Sequence, residues 1–352
     1  MFKFDELDEK RRHRIKQLIN LCHKYVAQYT VISVDPLIFF IQIDLDNARI
    51  IRDYKFLFDS LNNRTAYFIC STSWYFERSE NINELHGLLE KFKIDYPNFK
   101  FIILCNTLRQ LDLFNEKSMK AVFCNNNCFI DEKIFFPLQS TEKIYDAVYD
   151  ARLVEWKRHN LASEINSLGL IYYTIPWYED NFYMNKIIED FDHAKFFNHS
   201  ENQECKKLTP SKVNQALNQC RVGLCLSAEE GAMYASIQYL LAGLPIVTTP
   251  SLGGRDEFFD DEITITVEPT PGAVGAGVEE MIKRNVLPHF IRQKTLAKIK
   301  QHRGYFISLI QNIYEQEGIN RDFSKEWENI FFNKLLRNLN HLETIEQLKS
   351  IS

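Results

Sequence analysis

The chain has 352 residues, of which 45% are hydrophobic and 25% charged, a composition typical of a soluble globular protein. This length is too great for one ordinary core and suits two domains of about 150 residues each, with some helix left over. The net charge of -5 argues against a general affinity for nucleic acid, because binding a polyanion requires a basic surface. We therefore expect no nucleic-acid partner.

Cysteine usage indicates a reducing compartment. Most of the eight cysteines lie inside apolar runs, as reduced thiols do when they serve as small apolar side chains in cytoplasmic proteins. Cys124 and Cys128 form the one close pair, and without a second pair or a histidine cluster nearby they do not predict a zinc site. The charged N-terminus lacks the apolar region of a signal peptide, and no run of about 18 apolar residues predicts a membrane span.

The first predicted element is a helix over about residues 5–29. Its basic residues are Lys10, Arg11, Arg12, Arg14 and Lys16, and its apolar residues include Ile15, Leu18, Ile19 and Val26. One hypothesis is that this helix makes peripheral contact with an anionic membrane. The alternative is a helix docked on the first domain with its basic edge in solvent.

Short apolar runs then alternate with amphipathic helical patterns such as NARIIRDYKFLFDSL. The runs rich in Ile, Phe and Val lie at 39–44, 66–71, 99–105 and 120–125, and after an Asn-rich crossover at 146–153, 169–175, 221–227, 244–250 and 263–269. This alternation predicts βα units on buried parallel sheets. From about 288 onward the pattern indicates helices only.

The predicted fold class is therefore α/β, with two Rossmann-like domains facing each other across a cleft. The predicted limits are 1–140 for the first domain, 141–300 for the second and 301–352 for C-terminal helices. Ligands of such sheets bind at the carboxyl ends of the strands, so the cleft is the expected site.

Glycine usage places the anion-binding parts in the second half. Neither G-x-G-x-x-G nor G-x-x-x-x-G-K-[ST] occurs, and Gly87 is the one glycine in the first 150 residues. Arg152 ends a predicted strand and Lys157 lies where a helix should start. Two cations beside a helix N-terminus suit a diphosphate. The alternative is a solvated helix start, with Arg152 paired to a carboxylate.

A second helix start is predicted at AEEGAMY, residues 228–234. Free backbone N–H groups near Gly231, Ala232 and Met233 could bind an anion or sugar hydroxyls. The alternative is that Glu229 and Glu230 are acids placed favourably against a helix dipole. Further on, LGGRDEF predicts a turn of two glycines followed by charges, for which the alternative is a tight surface turn.

Read together, these segments resemble the retaining nucleotide-sugar glycosyltransferases of GT-B fold, the glycogen-synthase-like and phosphatidylinositol-mannosyltransferase-like group. CFIDEKIFFP is similar to the family's N-G-V-D-x-x-x-F-x-P link, with the Asn displaced to Asn127. ARLVEWK matches G-R-x-x-x-x-K, which implies that Arg152 and Lys157 hold the donor diphosphate. The resemblance covers about residues 125–285.

Two further segments complete the resemblance. SAEEGAMYASIQYLLAGLPIV matches the family's pair of glutamates separated by seven residues, which implies that Glu230 contacts the donor sugar and Gln238 the ribose. SLGGRDEF is similar to G-G-x-x-E, which adds Gly253, Gly254 and Glu257 to the donor site. Gln238 departs from the family's second glutamate, since it keeps a carbonyl acceptor but carries no charge.

The resemblance implies an enzyme that moves a sugar from a nucleotide-sugar donor to a glycan or lipid-linked acceptor, with retention of configuration. It implies no cofactor and no bound metal, and a role in bacterial surface polysaccharide synthesis. Two alternatives remain open at this point. One is a sugar-nucleotide epimerase or phosphorylase on the same scaffold, and the other is a non-catalytic partner subunit.

Overall fold

The computed structural model describes residues 25–44, 47–72, 74–173, 181–199, 205–332 and 334–351. The first elements are β1 (Val26–Val34), β2 (Leu37–Ile43), α1 (Asn47–Leu61), β3 (Ala66–Thr72), α2 (Ser79–Asp95), β4 (Phe99–Cys105), α3 (Leu108–Glu116) and β5 (Ala121–Phe123). Next come β6 (Tyr145–Asp150), β7 (Leu168–Ile171), α4 (Asn181–Asp190), β8 (Lys195–Phe196), α5 (Pro210–Asn218), β9 (Cys220–Cys225), α6 (Tyr234–Leu241), β10 (Ile246–Thr248), β11 (Thr264–Thr266) and α7 (Pro271–Arg284). The last are α8 (Pro288–Gln316), α9 (Phe323–Ile330), β12 (Arg337–Asn340) and α10 (His341–Ile351).

The chain divides into two compact units. The first comprises the described residues of Met1–Phe129 and His302–Ser352, and the second comprises those of Ile130–Gln301. Each unit has one six-stranded sheet, with the orders β12-β1-β2-β3-β4-β5 and β11-β10-β9-β6-β7-β8. The prediction of two α/β domains built on mainly parallel sheets is confirmed. The predicted limits at 140 and 300 stay predictions.

The core of the first unit is aromatic. Phe58 of α1 packs on Phe68 of β3 with ring centroids 4.8 Å apart, and Phe68 packs on Phe99 of β4 at 4.9 Å. Such pairs add about 0.5–1.5 kcal/mol each beyond the burial of their area. The helix is thereby held on a sheet whose central strands are buried on both faces, as the apolar runs predicted.

A close approach fixes helix α6 on the second sheet. A Cβ at Gly223 of β9 would lie 2.4 Å from Cδ2 of Tyr239, so only glycine leaves room for that ring. Tyr239 is fully buried, and its Oη accepts a hydrogen bond from the backbone N–H of Asp150 at 2.5 Å. The side chain therefore links α6 to the end of β6.

Several sequence predictions about elements are wrong. Residues 26–29, predicted to be helical, belong to strand β1, which pairs antiparallel with β2 and β12. The C-terminal segment is not helical throughout, because it supplies β12. Helix α6 begins at Tyr234, not at Ala228. The rest of the predicted N-terminal helix lies outside the described residues.

The described cysteines are free thiols, as the sequence predicted. The seven cysteines in the described ranges are free, and six of them are buried. The thiols of Cys124 and Cys128 lie 3.8 Å apart. No helix among the described residues combines the length and the apolar composition that a membrane span requires.

Candidate functional site

The strand order of the second sheet locates a ligand crevice. Strands β6 and β9 are parallel neighbours, but the chain leaves β6 toward β7 and β8 on one side and leaves β9 toward β10 and β11 on the other. In doubly wound sheets, ligands bind where the strand order reverses in this way, beyond the carboxyl ends of the two central strands. The loops that follow Asp150 and Cys225 therefore form the candidate site.

The loop after β6 positions the predicted cations. It forms a short 3-10 turn, Glu155–Lys157, instead of the predicted helix, and Arg158 then adopts a left-handed conformation with φ 53°. The phenolic O–H of buried Tyr149 donates a hydrogen bond to the Lys157 carbonyl at 2.6 Å. The Arg152 guanidinium carbon lies 5.4 Å from the centre of the Trp156 ring, a cation–π distance.

The loop after β9 is extended where a helix was predicted. Glu229 forms a parallel bridge with Leu252, and the Glu230 N–H donates to the Leu252 carbonyl at 3.0 Å. Pairing with the loop after β10 thus overrides the helical propensity of AEEGAMY. Consequently Gly231 and Ala232 precede the helix and Met233 is its N-cap residue, so they do not form a first helical turn.

Lys157 and Glu230 meet at the switch point. The Lys157 ammonium forms an ion pair with Glu230 Oε1, and the two side chains are 12% and 6% exposed. An isolated buried charge would be costly, so each group compensates the other. The predicted residues from two separate loops are therefore brought together, and Glu230 lies ahead of helix α6, which begins at Tyr234.

The remaining predicted residues lie on neighbouring elements. Gln238 is half-buried on α6, and its side-chain amide makes no hydrogen bond to the part of the chain that the structure describes. Gly253 adopts φ 94°, a conformation that favours glycine. Gly254 opens a 3-10 turn that ends at Phe258. Glu257 lies within this turn, and its carbonyl accepts a hydrogen bond from Lys298 at 3.2 Å.

Two arginines that the sequence analysis did not single out lie at the same strand ends. Arg255 is fully buried and donates to backbone carbonyls at the ends of β9 and β10. Arg158 donates to the Leu226 carbonyl at 2.6 Å and to Thr249 Oγ1 at 2.8 Å. A buried arginine held by carbonyls leaves no periodic signal in the sequence, although Arg255 lies inside SLGGRDEF and Arg158 directly follows ARLVEWK.

Two titratable groups near the ion pair have perturbed pKa values. Burial raises the pKa of Asp150 to about 7, although the charge of Lys157 acts in the opposite direction. Burial lowers the pKa of His159 to about 3, opposed by a backbone hydrogen bond with Ala151. His159 is therefore neutral at physiological pH, whereas the charge of Asp150 changes there.

The candidate site thus combines cations, the compensating carboxylates of Glu230 and Asp256, and backbone turns beyond the carboxyl ends of the central strands. No protein-family model matches the sequence, and no curated protein sequence matches it. Solved structures do match. TarM aligns with a TM-score of 0.54 and 13% identity over 80% of this chain, which spans 55% of the TarM chain.

HepE from Anabaena, solved in complex with UDP, aligns with a TM-score of 0.55 and 12% identity over 87% of this chain and 82% of the HepE chain. Another HepE structure, in complex with UDP and glucose, also aligns with a TM-score of 0.55, at 14% identity over 79% of this chain and 77% of that chain. TarM and HepE are GT-B glycosyltransferases. The chain has the GT-B fold.

Proposed function

We propose that the protein is a glycosyltransferase that takes a sugar from a nucleotide-sugar donor and transfers it to a glycan or lipid-linked acceptor. The observation that carries this proposal is the Lys157–Glu230 pair at the switch point of the second sheet. A diphosphate beside a sugar requires adjacent positive and hydrogen-bond-accepting groups, and this pair supplies both. HepE has been solved with UDP and glucose, which supports the same ligand class here.

The pair changes partners when the donor binds. Lys157 and Glu230 form an ion pair in the structure. The donor diphosphate then takes Lys157 and Arg152 as its cations, which frees the Glu230 carboxylate to accept hydrogen bonds from sugar hydroxyls. Each hydrogen bond to a charged acceptor contributes about 1.5–3 kcal/mol. Gly231, Ala232 and Met233 lie beside Glu230 and bound the sugar-binding region in this proposal.

In the proposed reaction the bond between the anomeric carbon and the diphosphate oxygen breaks, and a bond from the acceptor hydroxyl oxygen to that carbon forms. The acceptor proton leaves with the diphosphate or passes to solvent. Arg152 and Lys157 stabilise the negative charge that builds up on the leaving group, a form of electrostatic preorganisation. Retention of configuration, a ribose contact at Gln238 and a donor contact at Glu257 complete the proposal.

A thermal-shift screen with nucleoside diphosphates and CMP tests donor binding directly. A ligand at 100 times its dissociation constant adds about 2.7 kcal/mol of stability, which is easily measured. Lys157→Met should abolish the shift, whereas Lys143→Met, which removes a cation at the opposite end of the same sheet, should keep it. If no nucleotide binds the wild type, the proposal is wrong and a non-catalytic partner subunit is favoured.

Product analysis separates transfer from the alternative chemistry on this scaffold. With a sugar nucleotide and no acceptor, a transferase releases little nucleoside diphosphate, whereas an epimerase converts the sugar nucleotide. Nuclear magnetic resonance of the product formed with an acceptor reports the anomeric configuration, and inversion would contradict the retaining mechanism.

A lipid-linked acceptor in surface polysaccharide synthesis, with cytoplasmic location and peripheral membrane contact through the N-terminal basic segment, is a further part of the proposal. That segment lies outside the described residues, so its support is the basic sequence alone. Vesicle flotation with anionic lipid at low salt tests it. Protein that stays at the bottom of the gradient would remove the membrane contact.

A further inference from the structure

A single buried guanidinium joins the ends of two strands at the candidate site. Arg255 Nη1 donates to the carbonyls of Cys225 at 3.0 Å and Ser227 at 2.7 Å, and Nη2 donates to the Thr249 carbonyl at 2.6 Å. Its remaining donors bind the Asp256 carboxylate at 2.6 and 3.2 Å. All five N–H donors of this guanidinium are thereby satisfied.

Arg158 completes the same arrangement from the loop after β6. It donates a hydrogen bond to the carbonyl of Leu226, which lies between the two β9-end carbonyls that Arg255 binds. It also donates to Thr249 Oγ1, while Arg255 binds the Thr249 carbonyl. Three consecutive carbonyls beyond β9 thus accept hydrogen bonds from two arginines, and three loops converge on them.

The charge of Arg255 is maintained in spite of its burial. Burial acts to lower the pKa of this guanidinium, but the hydrogen bond and charge of Asp256 outweigh it, so the pKa lies above its ordinary value. Glu230 acts on the Arg255 charge in the same direction. A fixed positive charge therefore lies close to the carboxylate that we assign to the donor sugar.

We infer that Arg255, with Arg158, is a positioning residue for the proposed donor site. It holds the segment that leads from the end of β9 toward Glu229, together with the end of β10, which sets where the Glu230 carboxylate lies relative to Lys157. Arg255 itself touches no donor atom in this assignment. The inference rests on the proposed function, because only a donor site gives the position of Glu230 a consequence.

Lysine cannot replace this arginine. Its ammonium has three donors and no planar fork, so it cannot reach carbonyls on two strands and a carboxylate together. Arg255→Lys keeps the charge and loses the geometry, which separates positioning from electrostatics. The matched control is Arg221→Lys, since Arg221 lies near the start of β9, donates to the Lys143 carbonyl at 3.2 Å and is exposed.

The experiment measures binding of UDP, GDP and their glucose conjugates by calorimetry. We expect Arg255→Lys to weaken binding of the glucose conjugate by about tenfold or more, since several charge-assisted hydrogen bonds are lost. The gain in affinity that glucose adds over the bare diphosphate should fall most, because Glu230 supplies it. Arg221→Lys should leave every affinity unchanged.

A double-mutant cycle with Glu230→Gln distinguishes positioning from general destabilisation. If Arg255 acts through Glu230, the two losses in sugar-dependent affinity are not additive, whereas independent effects add. If Arg255→Lys does not fold, two other measurements replace it. One is the sugar-dependent affinity of Arg158→Lys, and the other is recovery of that affinity in Arg255→Ala when guanidinium is added.

The outcomes are distinguishable. Wild-type protein that binds none of the four probes overturns the proposed function and this inference with it. Wild-type binding together with unchanged or additive losses in the folded arginine variants overturns the positioning role alone. Selective, non-additive loss of the glucose contribution supports it.

Discussion

The two sheets of the protein have carboxyl ends of opposite chemical character. In the first unit, the ends of β3, β4 and β5 carry mainly neutral amide and hydroxyl groups, and the buried members are Thr72, Asn106, Gln110, Asn125, Asn126 and Asn127. In the second unit, the corresponding edge is charged, with Arg152, Lys157, Arg158, Glu230 and Arg255. The same sheet edge is thus mainly neutral and polar in one unit and charged in the other.

The neutral edge is tightly connected. Asn106 Nδ2 donates to Thr72 Oγ1 at 3.0 Å, and its Oδ1 accepts from the Asn126 N–H at 2.9 Å. In the part of the chain that the structure describes, Asn126 Oδ1 and both polar atoms of the Asn127 side chain are buried without a hydrogen-bond partner. Leaving such groups unsatisfied costs about 1–3 kcal/mol each. The side chains at this edge therefore favour neutral hydrogen-bonding partners.

The contrast between the two sheet edges depends most on whether the charged edge binds the donor diphosphate. We expect Arg152→Ala or Lys157→Ala to lower turnover by about 100- to 1000-fold, or about 2.7–4 kcal/mol, because contacts that strengthen in the transition state are lost. Steady-state kinetics at saturating donor measure this effect.

The control for these variants is Arg109→Ala. Arg109 is 71% exposed and lies 3.4 Å from Glu77, at the start of the helix that follows β4. Its removal should change turnover little, because the proposed diphosphate site is in the other unit. Near-normal turnover of Lys157→Ala would remove the diphosphate role.

The strands show how far the sequence determines the fold. The run 99–105 coincides with β4, and each of the other eight predicted runs overlaps a strand, because buried parallel strands are continuous stretches of apolar residues. β12 reads RNLN and has no such run, so only its pairing with β1 makes it a strand. β1 follows a charged helical pattern without a break, which is why the sequence merged the two.

The sequence predicts the site residues only in part. Arg152, Lys157 and Glu230 belong to sequence motifs and could be predicted, and the structure pairs Lys157 with Glu230. The start of α6 could not be read, since Ala, Glu and Met favour a helix while the bridge between Glu229 and Leu252 is a tertiary contact. Arg255 could not be recognised as a buried residue, because its acceptors are backbone carbonyls that no side-chain pattern specifies.

The neutral edge should respond to substitution in stability. Asn106→Leu removes the groups that bind Thr72 and Asn126 and takes the acceptor away from the buried Asn126 N–H, so we expect a loss of about 2 kcal/mol in the free energy of unfolding. Urea unfolding of the full chain measures it. Asn115→Leu on the exposed end of α3 is the control, and equal losses in both variants would contradict the connected edge.

The charged edge should respond to pH. The pKa of Asp150 is raised to about 7 against about 3.9 in an unfolded chain, so the folded state binds more protons between these values and loses stability as pH rises from about 4 to 7. Asp150→Asn removes that loss. We expect the variant to be about 1–2 kcal/mol more stable relative to wild type at pH 8 than at pH 4.

Urea unfolding at both pH values tests this expectation. Asp146→Asn is the control, because Asp146 lies near the other end of the same strand, is 46% exposed and faces Arg221 at 3.7 Å. A stability difference between Asp150→Asn and wild type that does not change with pH would show that the carboxyl group is normally ionised in the folded protein.

The smallest expected effect concerns Gln238, the position where a neutral side chain stands on the charged side of the comparison. If it faces the donor ribose, its carbonyl accepts one hydroxyl hydrogen bond but lacks the second acceptor oxygen of a carboxylate. Gln238→Glu should then keep or modestly improve binding of a ribose diphosphate donor, and Gln238→Ala should weaken it by about 1 kcal/mol.

A donor that brings further negative charge near the site, such as a CMP-linked acidic sugar, should bind Gln238→Glu worse, because a buried like charge without a partner is costly. Calorimetry of both variants with the donor found in the nucleotide screen decides the matter. Unchanged affinity in both variants would mean that Gln238 contributes only to the packing of α6 and does not contact the donor. The ribose contact would then have to come from another residue.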